Sequence, residues 1–421
     1  MRAVVVGLGV TGRAVSRVLR EDGYDVAVYD DRPVEAADVE VLAELDLAGA
    51  DLVVPSPGVP AHHPVFAAAA AAGVPVLSEI ELAWRRASMP LVAVTGTNGK
   101  TTVTTLVAEM LNRSGRRAVA AGNIGLPLVD AVERDVDVVV AEVSSFQLQH
   151  TDGFRPRVAV WLNLAEDHLD WHPTMAHYTA AKARIWANQA DDDLALVNAE
   201  DAAVMLAAAS VPARLETFGR GDADWRVEGE ALVGPIGPVV PLAELPRTLP
   251  HDVSNSLAAV GAAVAAGADL ASCAHVLAEF RGLPHRVELV GDAGGVRFFD
   301  DSKATTPASV LAAVSGFDSV VLVAGGRNKG LDLGVLRSVA PKLRAVVAIG
   351  DAAGEVEKAF FGVVPVTVAT SMDEAVAQAR TAAQPGDVVL LSPGCASFDW
   401  YRNYAERGDD FRRAVLEQVD A

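Results

Sequence analysis

Lysine is scarce in this sequence. The chain has 421 residues and contains six lysines against 29 arginines. Where a composition leans so far toward arginine, a retained lysine can mark a position that arginine cannot serve, because a guanidinium group keeps its proton at every working pH. Lys182 poses this question most sharply. It lies in an alanine-rich stretch that predicts a helix, with Tyr178 and Trp186 one turn away on either side.

Cysteines are also few, and long basic or apolar runs are missing. Cys273 and Cys395 lie far apart without metal-ligand spacing, which argues against a disulfide framework and a cysteine metal site. No basic run offsets the formal net charge of −20, which excludes nucleic acid as the main partner. No stretch of about 18 apolar residues occurs, so we expect no membrane span, no signal peptide and a cytoplasmic location.

The sequence does contain a repeated alternation of strand and helix patterns. Apolar runs that end in glycine or proline-glycine alternate with alanine-rich segments, which predicts an α/β protein with parallel sheets. The predicted strands are 3–7, 25–30, 51–58, 91–96, 137–142, 319–326, 345–350 and 387–394, and the clearest helices are 12–23 and 101–115. We expect three domains, at 1–88, 89–281 and 282–421.

The strongest local motif is VTGTNGKTT at 94–102. A buried strand leads into a glycine-rich turn, and a lysine and two threonines then open a helix, which is the arrangement of a phosphate-binding P-loop. Lys100 is placed to reach the β- and γ-phosphates, and Thr101 to bind Mg²⁺. The common pattern has glycine where this chain has Val94, so the motif indicates a variant P-loop.

A second glycine turn, GLGVTG at 7–12, also follows a strand, and Asp30 ends the next strand. Read alone, this pattern is typical of an NAD site with the acid on the ribose. The pattern predicts a turn suited to binding phosphate, but it does not identify the ligand. A different nucleotide, or a tight turn with no ligand, therefore remains an alternative.

Two further strand ends carry acidic groups. Glu142 ends the strand at 137–142, which is a suitable position for holding Mg²⁺ in a P-loop domain. The segment NLAEDHLDWH at 163–172 follows another apolar strand, and its cluster fits a metal or transition-state role: Glu166, Asp167, His168 and Asp170. We expect His172 and His177 to be surface or packing residues.

The last third of the chain has three polar loops. FFDDSKATTP at 298–307 sets Asp301, Lys303 and Thr305 at alternating positions, which share a face if the stretch is extended. GGRNKG at 325–330 places Lys329 in a glycine loop after a strand, a natural position for binding an anion. SPGCASFD at 392–399 again follows a strand.

Together these motifs resemble the Mur ligase family. They occur in the family's order and span essentially the whole chain: GTNGKTT, the Glu142 strand with SSFQL, NLAEDHLD, AAKARI, GLPHR, DDSKATTP and SPGCASFD. The resemblance implies three α/β domains. These are a Rossmann-like N-terminal domain for a UDP-linked substrate, a central P-loop ATPase-type domain with a parallel or mixed sheet, and a Rossmann-like C-terminal domain for the incoming amino acid. It also leads us to expect a monomer.

The activity that this resemblance implies is an ATP-dependent amide ligation in peptidoglycan synthesis. GLGVTG and SPGCASFD look most like the member that joins D-glutamate to UDP-N-acetylmuramoyl-L-alanine. The implied cofactors are ATP, two Mg²⁺ ions and CO₂, which is added to the lysine of the AAKARI segment as a carbamate. That would explain Lys182, because only an amine that can lose its proton can add CO₂.

The resemblance also assigns site residues. Those implied for ATP are Gly96, Thr97, Asn98, Gly99, Lys100, Thr101, Thr102, Asn255, Arg286 and Asp301. Those implied for the metal ions are Thr101, Glu142, His168 and carbamylated Lys182. Those implied for the UDP substrate are Val10, Thr11, Asp30, Arg32, Ser56, Gly58, Asn123, Ser144 and Gln147. Those implied for D-glutamate and the reacting centre are Lys303, Thr305, Lys329, Ser397, Phe398 and Tyr404. Lys100, Lys182, His168, Lys303 and Lys329 are the implied catalytic set. Tyr404 stands where the family commonly has phenylalanine.

Three alternatives remain at this point. A sister ligase would add another amino acid by the same chemistry, although the chain lacks the D-N-P-R-type motif expected for a diaminopimelate-adding enzyme. A dehydrogenase would use GLGVTG but leave the P-loop and Lys182 unexplained. A non-catalytic nucleotide-binding protein would keep the motifs without turnover.

Overall fold

The computed structural model describes residues 1–36, 38–168 and 171–419. The chain forms two compact units, one of residues 1–246 and 254–279 and the other of residues 247–253 and 280–421. Both units consist of β-strands with helices packed against them, which confirms the predicted α/β class.

The N-terminal sheet has four parallel strands in the order β3-β2-β1-β4. They are β1 (Arg2–Val6), β2 (Asp25–Tyr29), β3 (Glu40–Val41) and β4 (Leu52–Pro55). Its helices are α1 (Val10–Glu21), α2 (Pro64–Ala72) and α3 (Glu79–Arg86). Because β1 lies between β2 and β4, the strand order reverses at β1, and the glycine turn after β1 opens at that switch point.

The central sheet has six parallel strands in the order β10-β9-β8-β5-β7-β6. They are β5 (Leu91–Thr95), β6 (Ala118–Gly122), β7 (Val138–Glu142), β8 (Val158–Trp161), β9 (Leu194–Asn198) and β10 (Arg214–Phe218). The helices are α4 (Lys100–Arg113), α5 (Leu128–Ala131), α6 (Ser145–Gln149), α7 (Met175–Ala183), α8 (Ala202–Ala208), α9 (Pro250–Ala265) and α10 (Leu270–Glu279). The P-loop strand β5 therefore has β7 on one side and β8 on the other.

A small antiparallel sheet follows the central one. Its strands are β11 (Arg226–Glu228), β12 (Ala231–Gly234) and β13 (Gly237–Pro241). The sequence patterns that predict the parallel strands do not predict this sheet, because its strands are short and only partly buried. Two short 3₁₀ segments lie at Arg184–Trp186 and Leu242–Glu244, and a longer one of ten residues lies at Leu333–Lys342.

The C-terminal sheet has six strands in the order β14-β15-β19-β16-β17-β18. They are β14 (Glu288–Ala293), β15 (Val296–Asp300), β16 (Val320–Gly325), β17 (Leu343–Ile349), β18 (Val366–Ala369) and β19 (Val388–Gly394). Only β14 runs antiparallel to its neighbour. The helices are α11 (Pro307–Ser315), α12 (Ala353–Phe360), α13 (Met372–Ala382) and α14 (Tyr404–Val419).

Burial explains why the strand patterns are continuous apolar runs. Every residue of β5, β7, β8, β16 and β19 is buried, as expected for parallel strands covered by helices on both faces. Each strand becomes polar or glycine-rich only near its carboxyl end, so the chemically active groups collect along one edge of each sheet. Among the described residues, no helix is both long and apolar enough to cross a membrane.

Helix α3 carries two buried carboxylates into the first unit. Glu81 accepts hydrogen bonds from the backbone N–H groups of Asp152, Gly153 and Phe154, and Glu79 accepts one from Val129 at 2.8 Å. Burial raises the pKa of Glu79 to about 7, although the backbone N–H donors act in the opposite direction.

Replacing Glu79 by glutamine is expected to stabilise the protein above pH 7. Between the ordinary carboxyl pKa and about 7, the folded chain holds a proton on Glu79 that the unfolded chain has released. The contribution of Glu79 to the free energy of unfolding therefore falls as the pH rises through that window. The melting temperature of Glu79→Gln should exceed that of the wild type by a few degrees at pH 8 and match it at pH 5. Equal melting temperatures at both pH values would contradict the buried, proton-binding state of Glu79.

Candidate functional site

The P-loop joins β5 to α4 at the centre of the parallel sheet. Gly99 has φ of 86°, a left-handed conformation that favours glycine, and a Cβ there would come within 2.5 Å of Asn255 Oδ1. The loop thus lies directly against Asn255, and helix α4 begins at Lys100. An N-terminus of this kind, with backbone N–H groups at the start of a long helix, is a ready binding site for phosphate.

Two lysines meet at one P-loop carbonyl. Lys100 Nζ donates to the carbonyl oxygens of Gly96 and Thr97, each at 2.9 Å, and Lys182 Nζ donates to the same Gly96 oxygen at 2.9 Å. Two ammonium groups that share an acceptor repel each other, and Lys182 is only 1% exposed. Burial, with the Lys100 cation, lowers the pKa of Lys182 well below its ordinary value.

The surroundings of Lys182 are aromatic. Its Nζ lies 4.6 Å from the centre of the Tyr178 ring, and the Tyr178 hydroxyl is 3.3 Å from Thr97 Oγ1. Burial raises the pKa of Tyr178 far above its ordinary value, so this hydroxyl stays protonated. Lys182 is therefore enclosed between the P-loop backbone and the face of Tyr178.

Glu142 lies beside the P-loop at the end of β7, where it pairs with Val94 of β5. The carboxylate is 3% exposed, and its Oε1 accepts from Asn123 Nδ2 at 2.9 Å. Its buried Oε2 has no hydrogen-bond partner among the residues that the structure describes. A buried carboxylate oxygen of this kind suits a hard divalent cation, which takes oxygen ligands.

His168 occupies a turn with φ of 55°, which is rare for a residue other than glycine. Its Nε2 is 3.3 Å from Asp167 Oδ2, and its ring meets the edge of Phe146 at 4.7 Å between ring centres. The predicted Asp170 lies outside the described residues.

An open cleft of about 700 Å³ lies at the carboxyl edge of the N-terminal sheet. It is lined by all six residues predicted there, and by Asn123 from the central domain: Val10, Thr11, Asp30, Arg32, Ser56 and Gly58. Burial opposes ionisation of Asp30, but backbone N–H donation from Leu8 and Arg32 holds the pKa of this carboxyl below its usual value. The carboxylate thus braces the glycine turn.

Ser144 and Gln147 form a capping box at the start of α6. Gln147 N–H donates to Ser144 Oγ at 3.3 Å, and Ser144 N–H donates to Gln147 Oε1 at 3.0 Å. Ser144 and Gln147, which are predicted to contact the substrate, therefore also cap the N-terminus of α6, the helix that follows the Glu142 strand.

The remaining predicted residues lie in the C-terminal unit. Lys303 Nζ is 3.9 Å from the centre of the Tyr404 ring, a cation–π contact. Phe398 is exposed and Ser397 is buried in the loop after β19. Arg327, two residues before Lys329, pairs with Ala396 through backbone hydrogen bonds of 2.8 and 3.0 Å, so the Lys329 loop and the Ser397 loop run side by side.

Asp301 is buried at the end of β15, where it accepts from Ser392 Oγ at 2.8 Å and from the Val287 N–H at 3.3 Å. Burial raises its pKa to about 7, against the opposing effect of Ser392 and of nearby Arg286. Arg286 is thus near enough to Asp301 to favour its ionised form.

Comparison with known proteins identifies the architecture. Residues 1–78 match the Mur ligase MurD-like N-terminal domain, residues 94–263 the Mur ligase middle domain, and residues 285–395 the Mur ligase glutamate ligase domain. The chain belongs to the Mur ligase family. The resemblance seen in the sequence is confirmed.

Relatives of this Mur ligase align over almost their whole length. It is 43% identical to the UDP-N-acetylmuramoylalanine–D-glutamate ligase of Desulfosudis oleivorans, over 98% of this chain and 96% of that protein. It is 41% identical to the protein of the same name from Pelotomaculum thermopropionicum, over 99% and 97%. The crystal structure of MurF from Acinetobacter baumannii shares the fold, with a TM-score of 0.65 at 19% identity over 100% of this chain and 90% of that one.

One geometric expectation for this Mur ligase is wrong. The stretch after β15 is not extended, so Asp301, Lys303 and Thr305 do not share a strand face. The chain turns instead, because the Ser302 N–H donates to Asp300 Oδ1 at 2.9 Å and the Ala304 N–H donates to the Asp301 carbonyl at 2.9 Å.

Sequence reasoning also missed two residues that hold these loops. Arg407 of α14 is 1% exposed and donates to the Ser302 carbonyl at 2.8 Å and to the Cys395 carbonyl at 3.2 Å. Asn163 contacts the P-loop. No local pattern singles out Arg407 among 29 arginines, whereas Asn163 follows a buried strand within a motif that was already noted.

Gly12 should tolerate no side chain, because a Cβ there would overlap the Gly7 carbonyl oxygen in the turn that lines the N-terminal cleft. We expect Gly12→Ala to lower the free energy of unfolding by about 1–3 kcal/mol. Gly9→Ala is the matched control, since its Cβ would enter open space. Urea unfolding of both variants tests this, and equal midpoints would show that the turn yields to accommodate Gly12→Ala.

Proposed function

We propose that this Mur ligase joins D-glutamate to UDP-N-acetylmuramoyl-L-alanine, with ATP converted to ADP and phosphate, as a step of peptidoglycan synthesis. The observation that carries the ligase chemistry is the P-loop with Lys100, Lys182 and Glu142 gathered around it. The choice of D-glutamate is supported by the names of relatives above 40% identity over nearly the full length. The proposal includes a cytoplasmic, monomeric enzyme.

The proposed reaction has two steps. A carboxylate oxygen of the L-alanine end attacks the γ-phosphorus of ATP, and ADP leaves with the electrons of the broken P–O bond. The acyl phosphate formed is then attacked at its carbonyl carbon by the amine of D-glutamate. The tetrahedral intermediate expels phosphate, the nitrogen loses a proton, and an amide bond results. Phosphorylation is needed because a carboxylate alone offers only oxide as a leaving group.

The P-loop would hold the triphosphate. The segment from Gly96 to Thr102 would surround the phosphates, with the N–H groups at the start of α4 donating to them, and Lys100 would exchange its carbonyl acceptors for γ-phosphate oxygens. Asn255, which touches Gly99, fits a place beside the nucleotide, and Arg286 with Asp301 would contact adenine and ribose. Positioning and charge neutralisation account for most catalysis of phosphoryl transfer.

The residues present fit Mg²⁺. Glu142 offers a buried carboxylate oxygen without a hydrogen-bond partner among the described residues, and Thr101 opens the helix beside it. Two Mg²⁺ ions would be held by Thr101, Glu142, His168 and carbamylated Lys182. When bound, Mg²⁺ supplies neutralisation of phosphate charge.

Carbamylation of Lys182 follows the same electrostatic reasoning. Its lowered pKa favours the neutral amine, whose nitrogen can add to CO₂ and release one proton, leaving a carboxylate. The neutral amine beside Lys100 then becomes a negatively charged carbamate, which attracts the Lys100 cation.

The cleft of the N-terminal sheet would hold the UDP group. The turn at Gly7–Gly12 presents N–H groups to the diphosphate at the start of α1, and Asn123 joins this cleft to Glu142, which suits a substrate whose reactive end points toward ATP. Ser144 and Gln147 would contact the sugar and L-alanine. In the C-terminal unit, D-glutamate would be bound by Thr305, Lys329, Ser397 and Phe398. Lys303 would be oriented for this site by its contact with the Tyr404 ring.

Phosphate release tests the reaction and the acceptor together. With ATP, Mg²⁺ and UDP-N-acetylmuramoyl-L-alanine, release should depend on D-glutamate among amino acids supplied singly. Lys100→Ala should abolish it, because the γ-phosphate loses its cation, and this variant controls for contaminating ATPases. Release with a different amino acid would make the chain a sister ligase. Release with none would refute ligation and favour a nucleotide-binding protein.

Lys182→Ala should lose about 100-fold or more in kcat, as expected when a charged group at the reacting centre is removed. Acetate or another short carboxylic acid should restore part of the activity by supplying the missing carboxylate. Lys182→Arg should stay inactive, since arginine cannot add CO₂. Lys342→Arg is the control, because Lys342, like Lys182, donates to backbone carbonyl oxygen (two of them, at 2.7 and 2.8 Å) but lies in the C-terminal unit. Wild-type activity in Lys182→Arg would rule out the carbamate.

A further inference from the structure

Asn163, which has no role in the proposed chemistry, makes two side-chain hydrogen bonds to the P-loop. It is half-buried and comes two residues after the end of β8, the strand that pairs with β5 so that Thr95 lies opposite Trp161. Beyond that pair both strands have ended, and the segments that follow them stay side by side.

Asn163 continues the ladder by using its side chain as well as its backbone. Its carbonyl accepts from the Thr97 N–H at 3.1 Å. Its Oδ1 accepts from the Asn98 N–H at 2.8 Å, and its Nδ2 donates to the Asn98 carbonyl at 3.1 Å. The side-chain amide thus bonds Asn98 on both sides, as a backbone peptide of a neighbouring strand would.

The pairing extends one step further along the motif. Thr97 Oγ1 accepts from the Ala165 N–H at 3.0 Å and lies 3.2 Å from the Ala165 carbonyl. The Trp161 indole N–H donates to the Asn163 carbonyl at 3.1 Å and so braces that residue from behind. Residues 97–98 and 163–165 are therefore joined by hydrogen bonds, and one residue separates this pairing from Asp167 and His168.

This geometry bears on phosphate binding because Asn98 immediately precedes Gly99 and Lys100. Gly99 has a left-handed backbone that its sequence neighbours alone would not fix. Once the backbone N–H and carbonyl of Asn98 are both hydrogen-bonded to Asn163, the direction of the N–H groups that follow at the start of α4 is fixed too. Binding sites that are rigid before the ligand arrives lose less free energy on binding.

We propose that Asn163 is a positioning residue for the nucleotide: its amide holds the P-loop in the phosphate-binding conformation. The inference rests on the proposed function, in which this loop holds ATP. It concerns nucleotide affinity, and it leaves the UDP cleft and the D-glutamate site unaffected.

Asn198 provides a matched control on the next strand. It ends β9, its Nδ2 donates to the Leu162 carbonyl at 2.8 Å, and its Oδ1 accepts from the Glu200 N–H at 2.9 Å. It thus makes the same number of side-chain hydrogen bonds to backbone as Asn163 does, at the end of a neighbouring parallel strand, but none of them to the P-loop.

The test compares Asn163→Ala, Asn163→Asp and Asn198→Ala in the full-length enzyme. ADP binding is measured by calorimetry with Mg²⁺ and no other substrate, alongside melting temperatures and the KM values for ATP and D-glutamate. For Asn163→Ala we expect the Kd for ADP and the KM for ATP to rise about tenfold, because two hydrogen bonds that orient the loop are lost. The KM for D-glutamate should stay within about twofold, as an effect confined to the nucleotide would leave it.

Asn163→Asp preserves the shape and the acceptor but replaces the donor with a second oxygen facing the Asn98 carbonyl, so it should weaken ADP binding even if the alanine variant fails to fold. A merely structural role would lower the melting temperature in Asn163→Ala and Asn198→Ala alike and leave ADP affinity at the wild-type value in all variants, and that result would overturn the proposal. A wild type that binds ADP but releases no phosphate with D-glutamate would refute the proposed function and leave the Asn163 comparison valid.

Discussion

The carbonyl oxygen of Gly96 is the contact on which the site depends. It accepts from both Lys100 and Lys182, and two full positive charges at one acceptor cost more free energy than a carbonyl dipole returns. The chain resolves the conflict by burying Lys182, because burial beside the Lys100 cation favours the neutral amine. Lys100 lies in the first turn of α4, next to the proposed phosphate site. The Gly96 carbonyl thus lies between Lys100 and the amine of Lys182, the nitrogen proposed to add CO₂.

The topology of the central sheet brings the partners of that carbonyl together. β5 runs between β7 and β8, so Glu142 reaches the P-loop from one side and Asn163 from the other. The order of the strands reverses at β5, and the carboxyl ends of parallel strands at such a point form the crevice where α/β proteins bind ligands. The N-terminal sheet repeats the device at β1, where the glycine turn, Asp30 and Ser56 meet around one cleft.

Much of this was predictable from local sequence. Buried parallel strands are continuous apolar runs, and each glycine turn directly follows its strand, so the strand ends and their polar residues could be located in advance. The rest depends on tertiary partners. Nothing local shows that Ser302 bonds back to Asp300 and turns the chain before Lys303, that Arg407 binds Ser302 and Cys395, or that Asn163 lies against Asn98. The contact between the Asn163 side-chain amide and the P-loop can be recognised only once β8 is known to lie next to β5.

Several arginines of this acidic chain differ from the lysines of the proposed site in the partners that they contact. Arg17 and Arg86 both pair with Glu133, and Arg117 pairs with Asp137, so these arginines spend their charge on the protein's own carboxylates. Lys100 instead contacts two backbone carbonyls, and Lys303 lies over an aromatic ring. Neutral partners orient an ammonium group without cancelling its charge. At a net charge of −20, an incoming phosphate or carboxylate is attracted only where local charge is left uncancelled, so keeping lysine for these few positions concentrates the attraction at the site.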